Sequence, residues 1–315
     1  MGSKYSINGF INAALRRSGK TLLVEGISDR NVILRLHAER DCDAVFTVDQ
    51  AGILEGECCA GMGNKEKVKE VVRVAQQLAN NLPRINDVLA VLKDREWDGL
   101  PPGEFRLSNA WVAPVQGARE FSTQGHSIEN YNFRRDHVVA YLKMAFSGSL
   151  KNGFFSLIND EFKKILVVSS CLSLALQEEG VLSRVGGLLR HEHFEPNSDR
   201  VVIATSLISS LESRGCAEPR AKMIVDRING LVENHEDSLS TNISIQWLPH
   251  GHAGEECIWA CIGAYARLSG VDSVVCNSIV SFGRDERQRY MATLLAKTVP
   301  EDIFPLPEIV EWLAA

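Results

Sequence analysis

The first half of the chain alternates between two patterns of apolar and polar positions. Four short apolar segments are typical of β-strands: 21–25, 44–48, 87–93 and 109–115. Pro114 in the last of them favours an edge strand, because proline cannot donate to a sheet ladder. Two longer segments carry apolar residues at helical spacing: 28–36 and 65–82. Strands and helices in alternation predict a parallel sheet flanked by helices.

The second half is patterned differently. From about residue 133 to residue 231 the apolar spacing is mostly helical, and glycines interrupt it. One further strand is predicted at 243–248, followed by a helix from about Glu255 and a short helix after Pro307. We therefore predict an α/β domain over residues 1–140 and a mainly helical portion over residues 141–315.

Composition and charge exclude several classes of protein. The 315 residues carry a formal net charge of −6, which opposes nucleic-acid binding through bulk positive charge. No apolar run approaches the roughly 18 residues of a membrane span, and the first ten residues lack a signal-peptide pattern. The eight cysteines predict reduced thiols in a cytoplasmic protein. The adjacent Cys58 and Cys59, and the i, i+4 pair Cys257 and Cys261, do not predict a zinc site.

Acidic residues follow two of the predicted strands. Glu25 ends the first strand, and Asp94 and Glu96 follow the third. The carboxyl ends of parallel strands meet at one edge of a sheet, so we expect these side chains to lie close together. Asp94 and Glu96 would point the same way only if the chain stays extended. Clustered carboxylates are costly without a cation, and oxygen ligands suit Mg²⁺ or Mn²⁺.

Three motifs in this order resemble a known family. They are VEGISD at 24–29, DRE at 94–96 and QGHSIENY at 124–131. The first two resemble the TOPRIM domain, a Rossmann-like α/β module of topoisomerases, primases and nucleases, in which the glycine makes a tight strand-to-helix turn. The third resembles an element of TOPRIM nucleases related to the overcoming-lysogenization-defect (OLD) group, including the effectors of PARIS-type anti-phage systems. The resemblance covers roughly the first 140 residues.

The resemblance implies roles for single residues. Glu25 would bind metal and handle the proton of the attacking water, while Asp94 and Glu96 would hold the main Mg²⁺ or Mn²⁺. Asp29 and Glu129 would serve a second ion. Two ions roughly 4 Å apart stabilise the attacking and leaving oxygens of a phosphodiester displacement. The DRE motif departs from the family's DxD element, which leaves open whether Glu96 or Asp98 is the second ligand.

The resemblance also implies a downstream lysine that neutralises developing charge. No position matches it cleanly. Lys65 is one candidate for this catalytic role, and the His250 and His252 pair is another.

Plainer explanations exist for several of these residues. Asp29 suits a helix N-cap equally well. Glu129 could instead pair with Arg134 or Arg135. The segment His250-Gly-His252 is typical of a loop that caps the helix after it.

By resemblance, the expected function is that of a metal-dependent endonuclease effector in abortive infection. Such an effector is held by a separate ABC-type ATPase, is released on phage infection, and then cleaves host tRNA as a homodimer. A separate ATPase is consistent with the lack of a Walker A motif in this chain. The alternatives are an OLD-like DNA nuclease and a non-catalytic TOPRIM-like module that only binds its partner. Two divalent cations would offset much of the net charge of −6.

Overall fold

The structure, a computed structural model, describes residues 4–39, 43–108, 111–117, 119–241, 244–281 and 284–315. The chain divides into two compact units. The first, called the sheet unit, comprises Met1–Arg95, Ala113–Ile128 and Gln288–Ala315. The second, called the helical unit, comprises Glu96–Val112 and Glu129–Arg287. The predicted domain boundary near residue 140 remains a prediction.

The regular elements follow one another from the first residues to the last. The six strands described are β1 Lys20–Val24, β2 Phe46–Gln50, β3 Leu89–Lys93, β4 Glu120–Ser122, β5 Phe194–Pro196 and β6 Val201–Ile203. The twelve α-helices described are α1 Ile7–Arg16, α2 Ile27–Ala38, α3 Asn64–Ala79, α4 Ile85–Val88, α5 Arg135–Phe146, α6 Asn152–Glu178, α7 Ser206–Ser213, α8 Glu218–Ser240, α9 Gly251–Leu268, α10 Ser273–Ser281, α11 Arg284–Leu295 and α12 Leu306–Ala314.

The sheet unit is built on four parallel strands in the order β2-β1-β3-β4. The two central strands are apolar and buried along nearly their whole length, as expected for strands covered on both faces. Their register pairs Thr21 with Leu89 and Val24 with Leu92. The carboxyl ends of β1 and β3 therefore lie side by side, which confirms the predicted parallel sheet and its flanking helices.

The core of the sheet unit lies between the sheet and two of its helices. One apolar cluster contains almost completely buried residues from α1, from α3 and from the segment after β2. They include Phe10, Ile11, Leu54, Val68 and Val71. The helical spacing of Val68, Val71 and the other apolar residues of this segment predicted α3. Their packing fixes where the first turn of α3 begins relative to the strand ends.

Two predicted strands are wrong. The segment Trp111–Val115 is not a strand, and the predicted residues 109 and 110 lie outside the described residues. Its apolar side chains are not buried, since Val112 is 64% and Val115 is 93% exposed. The fourth strand is instead β4, which is too short for its periodicity to be recognised.

The prediction of a strand at 243–248 is also wrong. Residues 242 and 243 lie outside the described chain, and Ile245–Trp247 forms a turn of 3₁₀ helix. Ile245 and Trp247 are both buried, so their alternation reflects packing of a short turn and not strand pairing. Trp247 contacts the ring of Tyr131, with 5.1 Å between ring centroids.

The helical unit is assembled around α6, a 27-residue helix. Its central residues are buried all round because it packs against both α8 and α9. The hydroxyls of Ser169, Ser170 and Ser173 donate to carbonyl oxygens one turn earlier, at 2.7–2.8 Å, which satisfies these polar groups inside the core. The mainly helical second half is thus confirmed, apart from the antiparallel pair β5 and β6.

No helix in the described ranges is both long enough and apolar enough to cross a membrane.

Gly19 provides a test of the sheet's packing. A Cβ atom at this position would lie 1.7 Å from the carbonyl oxygen of Val45, a backbone atom with little freedom to move. We expect Gly19→Ala to reduce the free energy of unfolding by about 1–3 kcal/mol, as overpacking does. Urea unfolding followed by circular dichroism measures it. The matched control is Gly52→Ala, where a Cβ meets open space. Equal stability of the two variants would contradict this packing.

Candidate functional site

Two predicted site residues come together at the carboxyl edge of the sheet. Glu25 follows β1 and Asp94 follows β3, and the two strands are neighbours. The Glu25 Oε1 atom accepts a hydrogen bond from the backbone N–H of Asp94 at 2.8 Å. This bond joins the ends of the central strands and fixes one carboxylate beside the residue that carries the other. Of the acids expected to meet at this edge, Glu25 contacts the backbone of Asp94.

Asp29 lies in the first turn of α2 and is 5% exposed. Its Oδ2 atom accepts a hydrogen bond from the backbone N–H of Gly26 at 2.8 Å. Gly26, and not Asp29, is the N-cap of the helix. Asp29 thus satisfies a free N–H at the helix start from a position inside the helix, and its negative charge favours that end of the dipole.

The turn between β1 and α2 does not need a glycine for its backbone conformation. Gly26 has φ −134°, an extended value open to other residues, and a Cβ there would make an ordinary contact with Asp29 at 3.5 Å. Gly26 does lie in the short turn between β1 and α2, as predicted, although its backbone conformation does not require a glycine.

The start of α3 supports the same sheet edge. Asn64, its first residue, donates from Nδ2 to the carbonyl oxygen of Glu25 at 2.9 Å. Lys65 is 7% exposed, and its ammonium donates to the carbonyl oxygen of Arg95 at 3.3 Å. The Lys65 ammonium is therefore held against the backbone of the residue that follows Asp94. The sequence singled out Lys65, but it carried no signal for Asn64.

Arg95, the residue after Asp94, is held by the two residues that follow β4. The Arg95 backbone N–H donates to the Thr123 hydroxyl at 3.0 Å, and its guanidinium donates to the Gln124 carbonyl at 3.2 Å. Arg95 is only 3% exposed, so it brings a second positive charge into the sheet unit near the acidic edge. The sequence analysis assigned no role to Arg95 or Thr123, because a backbone-to-hydroxyl contact leaves no pattern along the chain.

Glu96 does not continue the strand. Its φ of 52° lies in the left-handed region, so the chain turns immediately after Arg95. The condition under which Asp94 and Glu96 would point the same way, an extended chain, is therefore not met. Glu96 and Asp98 both belong to the helical unit, and the choice between them as a ligand remains a prediction.

Glu129 has a partner that the sequence did not predict. In the helical unit its Oε1 atom lies 3.7 Å from Nδ1 of His252, and the carboxylate is 9% exposed while the imidazole is 62% exposed. Arg134 forms an ion pair with Asp136, and the alternative pairing of Glu129 with Arg134 or Arg135 remains a prediction. The negative charges of Glu129 and Glu96 oppose part of the fall in the pKa of His250.

His250 caps α9, as the sequence predicted. Its side chain accepts a hydrogen bond from the backbone N–H of Ala253 at 3.4 Å, which requires the neutral imidazole. Burial, with a smaller contribution from His252, lowers the pKa of His250 to about 4. His250 is therefore uncharged at neutral pH.

The IENY motif anchors the segment that leads to these histidines. The Asn130 amide donates to the carbonyl oxygens of Gln246 and Pro249, both at 2.9 Å. Tyr131 is fully buried against Trp247. Asn130 and Tyr131 thus hold the backbone just before His250, a supporting role that the sequence did not assign to them.

The residues fit a divalent cation by chemical type. Within the described ranges, no group of three or more His, Cys, Asp or Glu side chains is arranged to hold a metal ion. The sheet edge nevertheless offers only oxygen donors, and the Glu25 and Asp94 ends are joined directly. Hard oxygen donors select Mg²⁺ or Mn²⁺ over zinc. Glu25, Asp29 and Asp94 are the residues of the sheet unit that would hold such an ion.

No protein-family model matches the sequence, and no curated protein matches it either.

The neutral state of His250 predicts a loss of stability in acid. The unfolded histidine binds a proton near its ordinary pKa of 6.5, whereas the folded one does so only near 4. The unfolded state therefore binds more protons between these values, and stability falls as the pH is lowered from 6.5 to 4. His250→Asn keeps a capping acceptor and should remove on the order of 2 kcal/mol of this loss.

Unfolding free energies at several pH values measure this dependence. His252→Asn is the control, because its exposed imidazole leaves the cap intact and the acid dependence should persist. An unchanged acid dependence in His250→Asn would refute the assignment.

Proposed function

We propose that this chain is a metal-dependent endonuclease that cleaves phosphodiester bonds, with tRNA as its substrate. The observation that carries the proposal is the hydrogen bond between Glu25 Oε1 and the Asp94 backbone at the carboxyl edge of a parallel sheet. It is supported by oxygen-only donors, by the nearby cations Lys65 and Arg95, and by the motif resemblance to TOPRIM nucleases.

The proposed division of labour follows from the contacts. Glu25, Asp29 and Asp94 would hold divalent metal in the sheet unit. When bound, the cations supply positive charge that stabilises the oxygens of a phosphodiester under attack. Glu25 would also take the proton of the attacking water.

Lys65 is proposed as a positioning residue. Its ammonium is buried against the Arg95 carbonyl, so it supports the turn that follows Asp94. Its charge also reduces the repulsion between the nearby carboxylates.

The proposed biological setting follows the same resemblance. A separate ABC-type ATPase would hold the chain inactive until phage infection, and the released chain would act as a homodimer in the cytoplasm. The cysteines whose state is described are all free thiols, which agrees with a reducing compartment.

Loss of either central carboxylate tests the chemistry. We expect purified protein to cleave tRNA in Mg²⁺ and to lose activity in EDTA. Glu25→Gln and Asp94→Asn should each reduce the rate on the order of 100-fold or more, because both remove a charged metal ligand. Glu233→Gln and Asp226→Asn are matched controls, since both carboxylates are exposed on α8.

The outcomes separate the competing functions. Cleavage that survives EDTA would refute the metal mechanism. Cleavage of plasmid DNA but not of tRNA would favour the OLD-like DNA nuclease. Stable binding to the ATPase, with no cleavage of either nucleic acid by the released chain, would favour a non-catalytic module.

The substrate can be tested in cells. After activation, sequencing of RNA ends should reveal discrete cuts in tRNA, and the cuts should be absent in the Glu25→Gln strain. Cell death without tRNA fragments would contradict the tRNA assignment while leaving the phosphodiesterase chemistry open to the assay in vitro.

A further inference from the structure

Two adjacent cysteines, which are not among the residues of the proposed metal site, lie in the sheet unit. Cys58 and Cys59 belong to a short 3₁₀ helix, Glu57–Cys59, and their Sγ atoms are 3.9 Å apart in a hydrogen-bonded contact. Cys58 is exposed, whereas Cys59 is 5% exposed. The remaining cysteines that the structure describes are all buried: Cys171, Cys216, Cys257, Cys261 and Cys276. The pair therefore combines an accessible thiol with a second thiol directly behind it.

The buried thiol is held in place by the core. Cys59 belongs to the apolar cluster that includes Leu54, Val68 and Val71. Cys58 is not part of that cluster and is exposed. The two sulfurs are thus held together before any ligand arrives, which reduces the entropy lost on bridging them.

The geometry limits what the pair can bind. Tetrahedral zinc needs four ligands, and in the described ranges no third His, Cys, Asp or Glu joins the two thiols to hold a metal. A disulfide between adjacent residues is strained, because consecutive Cα atoms are about 3.8 Å apart while disulfides usually need at least about 4.4 Å. A ligand that takes two sulfurs and bridges a wider gap fits best.

We propose that Cys58 and Cys59 form a vicinal dithiol site for trivalent arsenicals of the organoarsenic(III) oxide class. Such a compound has one carbon substituent and one oxide oxygen. Two protein thiols replace that oxygen, which leaves arsenic with three bonds and no need for a further protein ligand. This site is independent of the proposed nuclease chemistry.

The reaction balances without an oxidant. Each thiol forms one arsenic–sulfur bond, and the arsenic–oxygen bond breaks. The two thiol protons leave with the oxide oxygen as water, and arsenic stays trivalent. Cys58 is exposed and attacks first, and the buried Cys59 then closes the ring.

A second pair of cysteines shows why exposure matters. Cys257 and Cys261 interact through their side chains on α9, but both are completely buried. A reagent in solution cannot reach them in the folded protein. The two cysteine pairs are alike in the proximity of their sulfurs. They differ in that Cys58 is accessible to a reagent in solution.

Phenylarsine oxide is the probe, and intact-protein mass spectrometry under native conditions is the readout. The wild-type chain should bind one equivalent, and 2,3-dimercaptopropanol should remove it while a monothiol should not. Cys58→Ser and Cys59→Ser should each weaken binding about 100-fold or more, because the chelate is lost. Circular dichroism verifies that both variants are folded, and Cys58→Ser changes only an exposed side chain.

Two further variants make the assignment specific. Cys216→Ser, a buried thiol, and Cys42→Ser, which lies outside the described residues, should bind the probe as the wild type does. The proposal is overturned if the wild type takes up no arsenical, if Cys58→Ser binds as tightly as the wild type, or if Cys42→Ser abolishes binding.

Discussion

The parallel pairing of β1 with β3 is the constraint on which the candidate site depends. Four consecutive residue pairs hold the two strands in register, and both strands are buried on both faces. Because they run in the same direction, their carboxyl ends finish together and Glu25 reaches the backbone N–H of Asp94. A shift of one residue would turn the apolar side chains of a strand to the opposite face and separate this contact. The sheet's core therefore protects the geometry of its edge.

Gathering carboxylates at that edge requires compensation, and the neighbouring elements supply it. Asp29 accepts the free N–H at the start of α2, and the buried ammonium of Lys65 and guanidinium of Arg95 bring positive charge close by. Thr123, which follows strand β4, accepts a hydrogen bond from the Arg95 backbone. Each of these contacts comes from a different element, so the edge is a product of the whole sheet unit. Such an arrangement favours a site that also accepts a cation.

In the helical unit, Glu129 and His252 are positioned by contacts of a different kind. Asn130 and Tyr131 hold the backbone before α9 through an amide and a buried ring, and Glu129 of the same motif meets His252 on that helix. One short motif therefore contributes a carboxylate and also the contacts that position its partner. The low pKa of His250 keeps the helix cap neutral at physiological pH.

The sequence alone determined the parallel sheet, the helices around it and the meeting of Glu25 with Asp94, because burial on both faces leaves long apolar segments and parallel strands end at one edge. It also placed Cys58 beside Cys59. Only the tertiary structure decided that β4 replaces the predicted strand, that Glu96 turns away in a left-handed conformation, and that Cys58 is exposed. These features depend on contacts between residues distant in the chain, which local periodicity does not record.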